Sequence, residues 1–451
     1  MLSLLQNRTY SHLFAAQVVA LLGTGLATVA LGLLAYDLAG ENAGAVLGTA
    51  LAIKMIAYVG VSPIASAFAE RLPRRGFLIA LDVIRGAIAR LLPFVDQVWQ
   101  IYVLIFLLQS ASAAFTPAFQ ATIPDILPDE ADYTKALSLS RLAYDLENLI
   151  SPALAAAALA VISFHWLFAG TAIGFGLSAL LVWSVVLPAM KSGDGQDSFY
   201  QRATKGIRYY LATPRLRGLL ALNMAAAAAG AMVIVNTVVY VRSLLGLGER
   251  DVAVALAVFG AGSMIAAVTL PRLLDRLPDR PVMLAGAGGL VAGLAVIGAA
   301  SLAGQAGWWT VLATWFLLGL SYSAVLTPSG RLIKRSSHEE DRPALFAAQF
   351  ALSHACWLLT YPLAGWMGAA LGMSWTLLAL AAIASAGTVA AFLLWPFNDP
   401  SVLPHIHKEL PPGHPHVRDA TQTGDGLKHA HNLVIDKHHR HWPGEAQMNV
   451  G

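Results

Sequence analysis

Long apolar stretches dominate this chain, and short polar segments separate them. Twelve of the stretches have about the 20 residues that a helix needs to cross a bilayer. We place these spans near residues 12 to 35, 44 to 68, 78 to 95, 100 to 120, 137 to 162, 166 to 187, 216 to 241, 252 to 270, 282 to 302, 308 to 328, 344 to 370 and 374 to 395. An even number of spans predicts that both chain ends lie on one side of the membrane.

Composition indicates the same class of protein. Hydrophobic residues fill 57% of the 451 positions, charged residues only 12%, and the mean hydropathy is +0.62. Such a chain is too apolar for a soluble protein of this length, so we expect an all-α membrane protein. The single cysteine, Cys356, excludes an internal disulfide. The pattern of a cleavable signal peptide is not visible, and we expect the first span to direct its own insertion.

Lysine and arginine residues are concentrated in alternate loops. The loops after even-numbered spans contain Arg71, Arg74, Arg75, Lys135, Lys191, Arg202, Lys205, Arg208, Arg215, Arg217, Arg272, Arg276, Arg280, Arg331, Lys334, Arg335 and Arg342, whereas those after odd-numbered spans contain only Arg242 and Arg250. Basic loops stay in the cytoplasm. The sequence therefore predicts a multi-pass protein of the inner (cytoplasmic) membrane with both termini in the cytoplasm.

The two halves of the chain repeat one another. The segment Glu70-Arg71-Leu72-Pro73-Arg74-Arg75 follows the second span, and Asp275-Arg276-Leu277-Pro278-Asp279-Arg280 follows the eighth, 205 positions later. A second echo pairs Thr116-Pro117 with Thr327-Pro328. These repeats predict an N-terminal six-helix bundle over residues 1–190, a connecting loop over 191–214, a C-terminal six-helix bundle over 215–396 and a flexible, His-rich cytoplasmic tail over 397–451.

Two six-helix halves related by an axis along the membrane normal are the arrangement of major facilitator transporters. The loop from Ser66 to Arg75 resembles that superfamily's signature, G-x-L-A-D-R-x-G-R-K. The acid, the following arginine and the basic pair are kept, whereas Ser66, Glu70 and Pro73 replace the opening glycine, the aspartate and the second glycine. The resemblance implies twelve transmembrane helices in two pseudo-symmetric bundles.

We expect these charged loops to form a gate that closes the cytoplasmic side, although the arginines could instead act only as topological signals. The predicted gate residues are Glu70, Arg71, Arg74, Arg75, Asp82, Arg85, Asp275, Arg276 and Arg280. Asp82 and Arg85 lie towards the cytoplasmic end of the third span, and a structural role is their alternative.

Polar residues within the spans indicate the transport path, because each of them is costly in lipid. Asp145 and Glu147 on the fifth span are the first candidates for binding a proton or a cation; alternatively, Arg141 and Asp145 form a structural ion pair. Lys54 on the second span needs a carboxylate partner, which we expect among the fifth-span acids. The full set of path candidates is Asp145, Glu147, Asn148, Lys54, His354, Cys356, Ser353, Gln349, Tyr361, Asn223 and Asn236.

The eleventh span carries His354 and Cys356, two side chains of the types that late first-row metals prefer. Residues two apart on an unbroken helix point about 200° apart. The two would share a metal ion only if Pro362 unwinds the helix. Otherwise His354 is a packing residue or a proton carrier. Asn223 and Asn236 on the seventh span could supply oxygen ligands or bridge helices.

Nine of the thirteen histidines lie in the last fifty-odd residues, and eight of these form four His-x-His pairs. The predicted metal ligands of this tail are His405, His407, His414, His416, His429, His431, His438, His439 and His441. Alternating histidines of an extended segment project to one side and suit Ni²⁺, Co²⁺, Cu²⁺ or Zn²⁺. The proline and glycine content predicts a flexible chelator and no folded module.

The chain resembles the nickel-resistance exporters of the major facilitator superfamily. The segments that carry this resemblance are Ser353-His354-Ala355-Cys356-Trp357, Tyr361-Pro362-Leu363-Ala364-Gly365 and Leu410-Pro411-Pro412-Gly413-His414-Pro415-His416. The resemblance implies export of Ni²⁺, with Co²⁺ as a second cargo, from the cytoplasm by proton exchange. No nucleotide-binding P-loop motif is visible.

Three alternatives stay open at this point: export of an organic compound such as a drug or a siderophore, export of Fe²⁺ or Zn²⁺, and a membrane metal sensor or storage scaffold that transports nothing. We do not expect an enzyme, because no nucleophile, base and orienting acid occur at a readable spacing. The expected partners are the metal ion, protons and the lipid bilayer, with no nucleic acid. We expect a monomer that needs no cofactor.

Overall fold

Twelve long helices form the body of the protein. The computed structural model describes residues 2–69, 73–120, 122–187, 199–338, 341–399, 402–407, 420–424, 426–435, 439 and 442. The long helices in these ranges are α1 (Arg8–Ala39), α2 (Ala43–Ala69), α3 (Arg74–Leu91), α4 (Val98–Gln120), α5 (Glu130–Ala158), α6 (His165–Trp183), α7 (Pro214–Val239), α8 (Glu249–Leu274), α9 (Asp279–Leu302), α10 (Trp308–Leu326), α11 (Arg342–Leu371) and α12 (Met373–Leu394).

Nine segments of the described chain are long and apolar enough to cross a membrane, and one of them, Arg8–Val61, contains α1 together with most of α2. Together these segments hold all or most of ten of the long helices. The other two helices, α3 and α5, carry several charged residues each. The all-α class is therefore confirmed, while the number of membrane crossings stays a prediction.

Local sequence signals set several helix ends. The side chain of Asn7 accepts a hydrogen bond from the Tyr10 backbone N–H (3.1 Å), and Asp129 accepts one from Asp132 (3.0 Å), so α1 and α5 start with capped N–H groups. Gly40 follows α1 with φ 54°, and Gly372 follows α11 with φ 80°. Side chains disfavour this left-handed region, and glycine permits the sharp turn there.

The prediction of a connecting loop over 191–214 is wrong for the described part of this segment, which is helical. The helix Phe199–Ala212, which we call the linker helix, lies in this segment, and α7 begins directly after it at Pro214. The linker helix packs against α11. Its residue Gly206 has no side chain and lies against the backbone of Ala344, so the two helices approach closely.

The halves α1–α6 and α7–α12 meet through a few helices. Packing between them involves α1, α2 and α5 on one side and α7, α8 and α11 on the other. We call the end of the bundle where α1 begins and α12 ends the tail face, and the opposite end the far face. The first residues of α2 and the last turns of α11 lie at the far face.

Glycines bring the two halves into backbone contact at the far face. A Cβ atom at Gly365 would overlap the carbonyl group of Gly44, and one at Gly48 would overlap the carbonyl group of Tyr361. Nearby, the hydroxyls of Tyr36 on α1 and Ser243 after α7 are hydrogen bonded at 3.0 Å. At the far face, α2 therefore approaches α11 closely, and α1 is joined to the segment after α7.

The tail is partly folded, contrary to our prediction of a flexible extension. Strands β1 (Val402–His407), β2 (Thr421–Thr423) and β3 (Gly426–Asn432) form an antiparallel sheet in the order β1-β3-β2. The register sets His405 opposite His429 and His407 opposite Leu427. Composition misled the prediction because strand pairing over some twenty intervening residues leaves little local signal in the sequence.

The glycine contact at the far face predicts opposite effects for two Gly→Ala substitutions. Gly365→Ala should lower the free energy of unfolding by about 1–3 kcal/mol, because the added methyl overlaps a backbone that has no room to move. Gly288→Ala in α9 adds a methyl to open space and should raise stability by about 0.5–1 kcal/mol. Thermal unfolding of the purified variants measures both; equal shifts would contradict the packing.

Candidate functional site

A lysine and a glutamate meet in the apolar middle of the first half. Lys54 lies eleven residues from the far-face end of α2, and Glu147 lies eleven residues from the far-face end of α5. At 1.5 Å per residue, both are about 17 Å deep, near the middle of a hydrocarbon core about 30 Å thick. The opposite charges are near enough to attract each other, without a described hydrogen bond or ion pair between them. Glu147 is thus the fifth-span acid whose charge acts on Lys54, and a role of the two in transport stays a prediction.

Glycine on α1 makes room for Glu147. A Cβ atom at Gly25 would lie 3.3 Å from the Cγ atom of Glu147 and would overlap the side chain of Ser151. The Ser151 hydroxyl reaches the Leu22 carbonyl of α1 at 3.4 Å. Helix α1 therefore packs closely against the face of α5 that carries the carboxylate.

The second half reaches this pair through the eleventh helix. The His354 ring lies 6.0 Å from the Tyr58 ring and 3.9 Å from the Phe350 ring, and His354 interacts electrostatically with Lys54. Its Nδ1 atom lies 2.7 Å from the carbonyl oxygen of Phe350. The group Lys54, Tyr58, Glu147, Phe350 and His354, which we call the interface cluster, spans both halves.

Asp82 and Arg85 form a buried ion pair beside this cluster. Asp82 is fully buried, accepts hydrogen bonds from Arg85 and from Ser178 (2.7 Å), and so links α3 to α6. The Arg85 guanidinium lies 4.1 Å from the centre of the Phe115 ring and 4.5 Å from that of Phe175. We had placed both residues near a cytoplasmic gate; the structure seals them inside the first half, which favours their structural alternative.

Aromatic rings continue from the cluster into the second half. Trp357 lies 4.9 Å from Tyr361 and 6.3 Å from Tyr322, and Tyr322 lies 5.6 Å from Phe259. The Trp357 ring occupies the space that a side chain at Gly230 would need. These rings connect α8, α10 and α11 into one aromatic surface.

Helix α11 runs through Pro362 without a break. His354 and Cys356 therefore point away from each other, and they do not share a site in this conformation. Cys356 is buried and interacts with Tyr210 of the linker helix. Burial raises the pKa of Tyr210, with a smaller effect from Cys356, so the phenol stays protonated and donates to the side-chain oxygen of Gln349. Ser353 donates to its own helix at Phe350.

The two asparagines of the seventh span have different partners. Asn223 donates to the Leu219 carbonyl of its own helix at 3.0 Å. Asn236 is fully buried and donates to the Ala364 carbonyl of α11 at 2.9 Å. Asn236 therefore bridges two helices, which was the structural alternative for this residue. Asp145, Asn148 and Arg141 lie on α5, and their side chains fall outside the described residues.

The repeated motifs hold helix ends within each half. Arg75 donates to the Trp183 carbonyl at the end of α6, and Arg280 donates to the Trp395 carbonyl just after α12 at 3.0 Å. Arginine near a helix C-terminus satisfies free carbonyl groups there. These two contacts correspond to each other in the repeat, and each lies within one half. The predicted gate role concerns contacts that form and break between conformations, which these contacts do not test. That role stays a prediction.

An ion pair lies near each of these two arginine contacts. The motif supplies the base of the pair in the first half and the acid of the pair in the second half. Arg74 at the start of α3 pairs with Asp125, whereas Asp279 at the start of α9 pairs with Arg331 at 3.1 Å. Asp275 and Arg276 lie in an exposed turn, and Glu70 and Arg71 lie outside the described residues. The sequence did not predict Asp125 and Arg331 as partners of these motifs, because they do not stand at matching positions of the repeat.

The tail histidines are described only in part. The structure describes the backbone but not the side chains of three strand histidines, His405, His407 and His431. Four others lie wholly outside the described residues: His414, His416, His438 and His441. His439 is buried, and His429 is half-buried. Among the side chains that the structure describes, no three from His, Cys, Asp and Glu are grouped to hold a metal ion.

Tyr58 is the main member of the interface cluster that we missed. It lies four residues after Lys54, so the two share one face of α2. Tyr58 also interacts with Thr116 on α4 and with Tyr144 on α5. The helical spacing from Lys54 was the signal that could have identified it.

The family model of the Major Facilitator Superfamily matches residues 13–297 and 219–430. The chain belongs to this superfamily. Among curated relatives of this major facilitator protein is the uncharacterized MFS-type transporter YfiS of Bacillus subtilis (strain 168), 25% identical over 280 residues. That alignment covers 61% of this chain and 66% of the relative. Macrolide efflux protein A of Streptococcus pyogenes is 25% identical over 216 residues, covering 47% of this chain and 52% of the relative.

Solved structures confirm the major facilitator fold. The nucleoside transporter NupG has a TM-score of 0.69 and 12% identity, covering 86% of this chain and 100% of that chain. A bacterial homolog of the human lysosomal transporter Spinster, in an inward-facing and unoccupied conformation, has a TM-score of 0.67 and 13% identity, covering 86% of this chain and 97% of that chain. Identities this low show the fold alone.

The pairing of Lys54 with Glu147 predicts strong coupling between substitutions in this transporter. Lys54→Met or Glu147→Gln alone leaves the other charge uncompensated and should lower stability by about 3–5 kcal/mol. The double variant should lose at least about 1 kcal/mol less than the sum of the two single variants. Thermal unfolding of the four proteins in one detergent measures this coupling; additive losses would show that the two groups do not depend on each other.

Proposed function

We propose that this chain exports a divalent transition-metal cation, Ni²⁺ first and Co²⁺ second, in exchange for protons by alternating access. The observation that carries the exchange mechanism is the interface cluster, because it sets a titratable imidazole of the second half beside an acid and a base of the first half. The cluster lies near the middle of the predicted membrane span, where transporter sites are commonly found.

Competition between a proton and the cargo cation for Glu147 would couple proton entry to cation export. When the carboxylate of Glu147 is ionised, it attracts both Lys54 and a cargo cation. A proton arriving from the far face neutralises it, and Lys54 then repels a dication from the site. His354, which faces Lys54 from the second half, is our candidate for the second proton.

Energetics support exchange. Export of a dication against a potential of 100 mV costs about 4.6 kcal/mol, and the entry of two protons offsets that electrical cost. Export of the cation is unfavourable in this direction if both termini lie on the cytoplasmic side of the inner membrane, as the distribution of lysine and arginine predicts. The protein would act as a monomer without a cofactor.

The tail supports a metal cargo. It carries nine histidines, and strands β1 and β3 set His405 opposite His429 in the register. Opposite positions of an antiparallel pair lie about 5 Å apart, a spacing that suits two ligands of one ion. The tail would collect the ion at the tail face and would not be part of the transport step.

An organic cargo is the second candidate. Two observations favour it: the curated relatives include macrolide efflux proteins, and aromatic rings from Phe259 to Tyr361 line the second half beside the cluster. A flat aromatic surface suits an organic cation or a lipophilic molecule. Export of Fe²⁺ or Zn²⁺ would use the same chemistry as Ni²⁺ and is tested in the same experiment.

Uptake into everted vesicles with an imposed pH gradient separates these candidates. We expect gradient-dependent accumulation of Ni²⁺, and of Co²⁺, that exceeds accumulation of Zn²⁺ and Fe²⁺. Glu147→Gln should reduce it at least tenfold, because the exchange site can no longer ionise. Glu41→Gln, in the exposed turn after α1, is the matched control. Accumulation of a macrolide without any movement of metal would replace the metal proposal with the organic one.

Truncation separates cargo collection from transport. A chain ending at Pro400 keeps all twelve long helices and loses the histidines after it. We expect gradient-dependent transport to persist at saturating Ni²⁺ and to fall several-fold at low Ni²⁺, as measured by initial rates. Loss of transport at every Ni²⁺ concentration in a well-folded truncated protein would place the tail in the transport step itself.

A further inference from the structure

An asparagine carries its amide into the contact between the two halves at the far face. Asn236 lies in the last turn of α7 and is fully buried. Its side-chain nitrogen donates to the Ala364 carbonyl of α11 at 2.9 Å and to the Met232 sulfur of its own helix at 3.6 Å. Both acceptors belong to the second half, so these two bonds do not join the halves to each other.

The Ala364 carbonyl determines which way this amide points. A carbonyl oxygen can only accept a hydrogen bond, so it selects the nitrogen of Asn236 and turns the Oδ1 atom away. A Cβ atom at Gly44 of α2 would overlap this Oδ1 atom, and one at Gly368 of α11 would lie 3.1 Å from it. The amide oxygen of the second half therefore lies against the backbone of the first half, in space that two glycines leave open.

The Oδ1 atom of Asn236 is buried and has no hydrogen-bond partner among the described residues, which include all of α7 and the far-face parts of α2 and α11. Its contact with the Gly44 backbone is at best a weak hydrogen bond from a Cα–H group. An amide oxygen that loses its water without a replacement costs free energy. The closed far face carries this cost, whereas water reaches the oxygen once α2 separates from α7.

Other contacts at the far face act in the opposite direction. Gly48 lets α2 approach the Tyr361 carbonyl of α11, and the Trp366 indole of α11 donates to the Thr49 hydroxyl of α2 at 3.0 Å. Both contacts join the two halves, and both are lost when the halves separate, so they stabilise the closed far face. The closed state thus combines a tight helix interface with one polar atom that it leaves unpaired.

We propose that Asn236 destabilises the closed far face on purpose: its unpaired oxygen offsets the tight contacts between α2 and α11 and keeps the closed and open states close in free energy. A transporter that works by alternating access opens to each side in turn, and a far face that closes too firmly opens too rarely. The bonds to Ala364 and Met232 keep the amide in the same orientation in both states, because they lie within one half. The identity of the cargo does not enter this proposal.

Distances between two spin labels across the far face, measured on the full-length protein in lipid nanodiscs, test this role. The labels are attached at Glu41→Cys, in the exposed turn after α1, and at Gln305→Cys, in the exposed loop after α9, in a parent chain that carries Cys356→Ala. We expect Asn236→Val, which has a similar volume and no polar side-chain atom, to lower the ratio of long to short distances at least fivefold. Asn236→Asp should raise this ratio at least fivefold, because a carboxylate is costlier to bury than an amide.

The matched control is Ser385→Ala of α12, because the Ser385 hydroxyl bonds only within its own helix, to the Ala381 carbonyl at 2.8 Å. This variant should leave the ratio within twofold of the parent value. A higher ratio in Asn236→Val would show that the amide holds the halves together, and a higher or an unchanged ratio would overturn the proposal.

A rare open state does not prevent the test. If long distances are too few in the parent chain to fall further, Gly365→Ala raises them by weakening the closed contact, and Asn236→Val must then lower them in that chain. The measurement needs neither cargo nor a pH gradient, so its outcome does not depend on whether the protein exports Ni²⁺.

Discussion

The cost of placing charge in an apolar medium organises this structure. An isolated charge is poorly tolerated there, so buried ionisable groups need an opposite charge or an aromatic face. Lys54 has Glu147, Asp82 has Arg85 and Ser178, and Arg215 has Asp399 and the ring of Trp442. Each pair joins elements that are distant in sequence or fixes a side chain at a helix junction. A transporter can use this constraint, because protonation or cargo binding at one member changes what the other can tolerate.

Elements with a strong local signal could be predicted from the sequence. Apolar runs of about 20 residues gave the positions of the long helices, and the need of Lys54 for a carboxylate pointed to the fifth span. The relative rotation of helices could not be predicted, since one residue of shift turns a side chain by about 100°. For this reason the position of Tyr58 and the burial of Cys356 became visible only in the structure.

Contacts between residues distant in sequence explain why the linker helix and the tail strands were not predicted. The linker helix stands in a polar segment whose composition suggested a loop, and it owes its position to contacts with α11 such as Lys205 to Asp341 at 2.7 Å. The tail strands depend on a register across the chain that no local pattern encodes. The internal repeat was informative in another way: it identified matching positions in both halves, but it did not show that Arg74–Asp125 and Asp279–Arg331 exchange their signs.

The unbroken course of α11 has a mechanical consequence. Its 30 residues make a rod about 45 Å long. The linker helix holds one end through Asp341 and Gln349, α2 holds the other end at Gly365, and His354 lies between these two supports. Such a rod works as a lever, because a tilt of a few degrees at one support displaces the opposite end by several ångströms. A small change in the segment that joins the halves would thus be amplified into separation of the helices at the opposite membrane surface.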